Sequence, residues 1–205
     1  MMKVLNMTES YDYLSSYAES LYNALKGVDK DQLYQAYRLL FEAAWHGHPV
    51  FVAGNGGSAA IAEHFTCDHS KGVWQGTRLI PNMISLSSNM ALITAIANDH
   101  GYDEIFSRQL MYNNAGTRDL LVVVSSSGNS PNIVKALEYA HEHAIPSIAL
   151  VGFTGGKAKD LASVCIHIPV NNYGIVEDAH QAIMHSLAHT LKINNKQADA
   201  KELIL

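Results

Sequence analysis

The sequence predicts an α/β protein: a five-stranded parallel sheet flanked by helices in three layers, with a helical extension at the N-terminus. Two observations carry this. From residue 49 onward, short apolar runs alternate with amphipathic stretches, and strand–helix alternation builds right-handed βαβ units whose sheet is covered on both faces. The runs are also continuous and rich in β-branched residues, clearest in Leu120-Leu121-Val122-Val123-Val124, as in strands buried on both sides.

The elements follow in order. Tyr11, Leu14, Ala18, Leu21 and Leu25 recur at helical spacing, and Gly27 breaks the pattern. Asp29 is placed to cap a second helix, with Gln32 three residues on as its capping-box partner. Leu33, Tyr37, Leu40, Phe41 and Ala44 form that helix's apolar stripe. Strands are expected at 49–53, 83–86, 120–124, 147–151 and 164–168, with helices near 58–70, 90–112, 131–143, 156–162 and 175–194. Residues 1–48 are read as oligomerisation helices and 49–205 as the α/β domain, together one structural domain. There is no internal repeat, low-complexity tract or long linker.

Composition narrows the function. The 205 residues carry only 16% charged side chains, against about 25% in typical domains, which points to surface buried in an oligomer. The formal charge of −5 speaks against a nucleic-acid partner, since nothing basic neutralises phosphates in bulk. Cys67 and Cys165 do not make a disulfide scaffold. The N-terminus lacks the apolar core of a leader peptide, and no run reaches the ~18 apolar residues of a membrane span. The expectation is a cytoplasmic protein with no membrane partner.

In such a sheet, ligands bind beyond the carboxyl ends of the strands. Gly54-Asn55-Gly56-Gly57-Ser58-Ala59-Ala60 follows the first strand, and Ser125-Ser126-Ser127-Gly128-Asn129-Ser130-Pro131 follows the third. Both loops open helices. Glycines let the backbone approach a ligand, a helix N-terminus offers N–H groups and a positive dipole end to an anion, and serines add donors. Neither loop is a P-loop or a G-x-G-x-x-G fingerprint. They are turn and capping residues in the simplest reading, but four closely spaced serines past a buried strand favour a small phosphate-bearing ligand.

Here the sequence resembles a known family. Gly54-Asn55-Gly56-Gly57-Ser58, Ala95-Ile96-Ala97-Asn98-Asp99 and Ser127-Gly128-Asn129-Ser130-Pro131 are similar to the sugar isomerase (SIS) domain. The stretch 97–109 resembles, more narrowly, the phosphoheptose (sedoheptulose 7-phosphate) isomerases. The resemblance spans nearly the whole chain and implies a flavodoxin-like three-layer fold and a homotetramer with active sites at subunit interfaces. It implies phosphate binding by Ser58, Ser125, Ser127 and Ser130, with Ser126 nearby, within a loop shared with Gly56 and Gly57, and sugar contacts from Asn55 and Asp99. No Arg or Lys lies in either loop, so the phosphate site would be built from backbone and hydroxyl donors.

His64 and Asp68 are four apart on a predicted helix and share a face. Glu177 and His185 are eight apart, about 80° around a helix and loosely on one face, and His180 lies on the same helix. A His/Asp pair with a Glu/His pair is a reasonable set for a divalent metal such as zinc, although spacing alone is a weak signal. The resemblance implies zinc ligation at His64, Asp68, Glu177 and His185. The family's better-known members have Glu in place of Asp68 and Gln in place of Glu177. Asp reaches about 1.5 Å less far, and the ligand charge becomes −2 rather than −1. Gly174 stands where some members have Asp, and Lys71 is out of step with their Arg.

The implied chemistry moves a proton between C2 and C1 of a sugar phosphate through an enediol, which needs a base at carbon and an acid at the carbonyl oxygen, with a metal to polarise that oxygen. By analogy Asp68 is the base and His185 the acid, with Glu177 in reserve. His46, His48, His141, His143 and His189 read as solvated helix residues. Cys67 is expected to pack against the core, and Met83, Met90, Met111 and Met184 in the core or an interface. The leading expectation is an isomerase converting sedoheptulose 7-phosphate to D-glycero-D-manno-heptose 7-phosphate for surface-polysaccharide heptose. Alternatives are a non-catalytic SIS protein that binds the bacterial replication initiator, and an isomerase of another sugar phosphate. A pure scaffold would need none of His64, Asp68 and His185. A phosphosugar-sensing regulator would need a DNA reader that the acidic, regularly apolar first fifty residues do not resemble.

Overall fold

A computed structural model describes residues 7–197. Five strands form one parallel sheet in the order β2-β1-β3-β4-β5: β1 (Pro49–Gly54), β2 (Asn82–Ser85), β3 (Leu120–Ser125), β4 (Ser147–Val151) and β5 (Val164–His167). Every residue of β3 and β4 is buried, which is why their apolar runs do not alternate with polar residues. Alternate residues serve opposite faces. Val50, Val52, Leu120, Val122, Val124, Ile148 and Leu150 join one core, under α2 (Lys30–His46), α3 (Gly57–Cys67) and α8 (Tyr173–Asn194). Phe51, Ala53, Leu121, Val123, Ala149 and Val151 join the other, under α4 (Met90–His100), α5 (Ser107–Tyr112), α6 (Pro131–Glu142) and α7 (Gly156–Leu161).

The chain leaves β1 towards β2 on one side and returns to β3 on the other. That reversal opens a crevice beyond the carboxyl ends of β1 and β3, where Gly54 and Val124 are register partners. Both serine-containing loops emerge there. Gly54 turns so tightly into α3 that a Cβ on it would lie 2.3 Å from the Ser58 carbonyl oxygen. Gly128 has φ +63°, and a Cβ there would lie 1.9 Å from the Gly155 carbonyl oxygen. Neither position admits a side chain.

α1 (Met7–Lys26) lies against α8. Tyr17, Leu21 and Leu25 pack on the core shared by α2, α3 and α8, and Tyr17 Oη donates to Asp178 Oδ2 at 2.6 Å. Burial and that carboxylate push the Tyr17 phenol up to about 12. The same ring covers Gly174, where a Cβ would lie 3.0 Å from the Tyr17 oxygen.

Within the secondary-structure elements, the structure departs from the sequence-based expectations in four places. Asp29 caps α2 as expected, its carboxylate accepting from the N–H groups of Asp31 and Gln32, but Gln32 does not reach back: its Oε1 accepts from Cys165 N at 2.9 Å, satisfying the edge strand β5. The helix expected over 90–112 is broken after His100, because Gly101 takes φ +105° and leads into a 3-10 turn over Tyr102–Glu104. The helix expected over 58–70 stops at Cys67 and continues as a π-helical turn, Asp68–Val73. Cys67 is exposed rather than packed in the core, since α3 buries the face of Ser58, Ile61, Ala62 and Phe65.

Candidate active site

The crevice holds a cavity of about 150 Å³ lined by Asn55, Ser58, Ser125, Ser126, Ser127, Ser130, Tyr173 and Glu177, with Val124 at its floor. Ser58 belongs to the first turn of α3, Ser130 stands at the N-cap position of α6 with its hydroxyl not used in capping, and Tyr173 opens α8. Three helix N-termini therefore bring their positive ends to one small space. No Lys or Arg lines it. Ser126 is 5% exposed, and its Oγ has no hydrogen-bond partner among the described residues, so the site keeps a buried hydroxyl in hand. Ser125 Oγ accepts from Gly128 N at 3.2 Å and Ser127 Oγ from Asn129 N at 3.3 Å, which sets the loop's turn.

Asn55 is held by groups that sequence reasoning passed over. Its amide pairs with that of Asn132 in both directions, at 2.8 and 2.9 Å. Tyr102 Oη donates to Asn55 Oδ1 at 3.1 Å. Asn132 is buried on α6, and Tyr102 comes from the 3-10 turn that replaced a continuous helix. Gly56 is the α3 N-cap with φ +54°. Gly57 lies against α8, close enough that a Cβ on it would sit 2.6 Å from Glu177 Oε2. Asp99 does not line the cavity of the single chain; it is exposed at the end of α4 and accepts from Asn98 Nδ2 at 2.8 Å.

Past the cavity, α3, the π-helical turn that follows it and α8 bring His64, Asp68 and His185 together, with one ligand atom of each within 4.8 Å of the others. Asp68 Oδ1 faces His64 Nε2 at 3.3 Å and Oδ2 faces His185 Nδ1 at 2.9 Å. The two imidazoles meet edge to face, centroids 4.9 Å apart. Glu177 is not in this cluster: two helical turns before His185, its carboxylate lies at the serine cavity against Gly57. Gln181, unremarked in the sequence, is in the cluster's place of contact. Its Nε2 donates to His64 Nδ1 at 2.8 Å and to His185 Nε2 at 3.0 Å. The signal for it was there, because Gln181 stands four residues before His185, the same spacing that joins His64 to Asp68.

The π-helical turn begins at Asp68, and such turns gather at functional sites. The Phe65 carbonyl is shared there between the Asp68 N–H and His69, whose Nδ1 donates to it at 2.9 Å. The His69 ring stacks on Phe65, centroids 4.1 Å apart. His69 and His180 are both buried, and burial holds each imidazole down to about 4.

Two imidazoles and a carboxylate gathered this closely form a nitrogen-and-oxygen donor set that fits a zinc ion.

An α/β sheet with a hydroxyl-lined cavity at its topological switch is the frame on which the SIS-domain family model falls, matching residues 12–152. Phosphoheptose isomerase from Aneurinibacillus thermoaerophilus is 34% identical over 179 residues, covering 85% of this chain and 89% of its own. That from Citrifermentans bemidjiense is 38% identical over 162 residues, 79% of this chain and 83% of its own. The solved phosphoheptose isomerase of Francisella tularensis superposes with a TM-score of 0.80 at 27% identity, covering 92% of this chain and 98% of that one. The chain belongs to the phosphoheptose isomerase family of SIS-domain proteins, and so to the aldose–ketose isomerases.

Proposed function

We propose that the chain isomerises sedoheptulose 7-phosphate to D-glycero-D-manno-heptose 7-phosphate, supplying heptose for surface polysaccharide. The observation that carries this is the adjacency of two sites of different chemistry along α3 and α8: a hydroxyl-lined anion cavity and a His64–Asp68–His185 cluster. A phosphate fixed at one end of a sugar puts its carbonyl end within reach of the other.

In this reading Ser58, Ser125, Ser126, Ser127 and Ser130 hold the phosphate together with the N–H groups of α3 and α6. Asn55 orients the sugar, and Asp99 reaches it at a subunit interface of a homotetramer built on residues 1–48. His64, Asp68 and His185 hold zinc, with Glu177 as a further ligand if its side chain swings from Gly57. The ion would supply Lewis acidity to the carbonyl oxygen. Asp68 takes the proton from C1 as water gives one to O2, forming the enediol, because His185 as a ligand keeps its single proton on the nitrogen that faces Gln181. Asp68 then returns its proton to C2 while O1 gives its proton to water, so no net proton is consumed. Glu177 is the reserve base.

The test is turnover of sedoheptulose 7-phosphate by purified protein, with and without zinc, following the aldose. Zinc-dependent, chelator-sensitive turnover is expected. Bound metal without turnover would transfer the reading to another sugar phosphate. Absence of both would favour a non-catalytic binding protein.

A further inference from the structure

Asp68 and Gln181 hold the same two histidines from opposite sides. His64 presents Nε2 to Asp68 and Nδ1 to Gln181. His185 presents Nδ1 to Asp68 and Nε2 to Gln181. The four side chains close a ring of contacts in which one amide head serves two imidazoles.

A neutral imidazole has one donor nitrogen and one acceptor nitrogen. As the ring stands, Gln181 Nε2 gives its two hydrogens to His64 Nδ1 and His185 Nε2. Both imidazole protons then lie on the nitrogens that face Asp68, where the carboxylate accepts them. The metal-free ring is satisfied at each of these contacts. A metal held beside Asp68 needs those same nitrogens as lone-pair donors. Each imidazole proton must then move to the Gln181 side, and there Nε2 would oppose two N–H groups. An amide that turns over by half a rotation presents Oε1, with two lone pairs, to both.

We infer that Gln181 is a positioning residue for both histidine ligands: its amide holds the metal-free pair through Nε2 and, turned over, accepts His64 Nδ1–H and His185 Nε2–H when metal binds. Partners that fix a ligand's tautomer and ring angle typically carry about 10–100-fold in metal affinity. The inference rests on the proposed metal reading of His64, Asp68 and His185.

The experiment measures zinc and cobalt(II) affinity by competition with a chromophoric chelator, on full-length wild type, Gln181→Met and Gln181→Glu, with the visible spectrum of each cobalt form. Met keeps the length and removes both hydrogen bonds. Glu offers two acceptor oxygens and no donor. The expected result is about 10–100-fold weaker binding by Gln181→Met, affinity at least equal to wild type in Gln181→Glu, and cobalt band positions and intensities common to wild type and Gln181→Met at saturation. Metal affinity in Gln181→Met within twofold of wild type would overturn the inference. So would tenfold weaker binding by Gln181→Glu, a comparison that stands even if the Met variant does not fold. A cobalt spectrum showing a changed coordination number in Gln181→Met would make Gln181 a direct ligand instead. Wild type that binds neither ion would overturn the metal reading itself, a different failure.

Discussion

At the scale of single residues, two side chains carry opposite kinds of burden. Asp68 bridges two imidazoles at 2.9 and 3.3 Å, and the proposed mechanism makes it the base. Asp68→Asn keeps the size but exchanges one acceptor oxygen for an NH2 donor, and it cannot take a proton from carbon. It is expected to lose turnover while its circular dichroism and oligomer mass stay unchanged. Turnover retained within about tenfold, roughly 1.4 kcal/mol of barrier, would move the base to Glu177. Ser126 is the reverse case. Its buried hydroxyl has no partner among the described residues, and an unsatisfied buried polar group costs about 1–3 kcal/mol. Ser126→Ala is therefore expected to raise the ligand-free melting temperature by a few degrees while raising KM for the phosphosugar several-fold. A variant that melts lower with unchanged KM would show the hydroxyl to be structural. The residues legible beforehand were those whose chemistry is local, such as the loop serines and the His64–Asp68 pair. Gln181 and Asn132 were not, because an amide is notable only for what faces it, and both face side chains from distant segments.

At the scale of elements, periodicity placed all five strands within about two residues: β1, β3 and β4 bury both faces and read as continuous apolar runs, and the partly buried edge strands β2 and β5 keep short apolar segments. It failed where a backbone feature interrupts an unbroken pattern. Ile93, Ile96, Ile105 and Leu110 continue an apolar rhythm through Gly101, yet φ +105° there splits the helix and frees Tyr102 to reach Asn55. The widening into a π-helical turn at Asp68, where His69 bonds back to Phe65, is likewise something spacing does not record. Helix α8 shows what such burial does to stability. His180 is fully buried, and its imidazole is lowered from 6.5 to about 4 because the charged form loses its hydration. The unfolded chain binds that proton below about 6.5 and the folded chain does not, so the contribution is complete above 6.5 and is lost as pH falls towards 4. Between pH 7 and 5 this amounts to about 2 kcal/mol. Urea unfolding of wild type and His180→Leu at the two pH values checks it: the variant should lose less stability on acidification by about that amount, and equal losses would refute the assignment.

At the scale of the molecule, the N-terminal helix poses a question that its own chain does not answer. Its apolar stripe was read as one face, Tyr11, Leu14, Ala18, Leu21 and Leu25. Among the described residues the C-terminal half finds its partner: Leu21 and Leu25 pack on the core with Tyr17, while Tyr11 and Leu14 stand 68% and 60% exposed. On α2, Tyr34, Tyr37, Phe41 and Trp45 stack in succession at centroid distances of 6.4, 6.3 and 5.7 Å, and Tyr34 and Trp45 are themselves 59% and 48% exposed. Apolar patches of this kind mark interfaces, and with so few charges on the chain the simplest occupant is a second copy. The homotetramer proposed for residues 1–48 makes the catalytic consequence testable, since Asp99 lies outside its own chain's cavity and would have to be completed by a neighbour. Light scattering should give about four times the 22.4 kDa chain mass. The pair Leu14→Glu and Trp45→Glu, which touches neither the serine loops nor the histidine cluster, should lower that mass and lose turnover together, with zinc still bound by His64, Asp68 and His185. Full activity in a monomeric variant would show that each site is complete within one chain, and would remove Asp99 from the substrate.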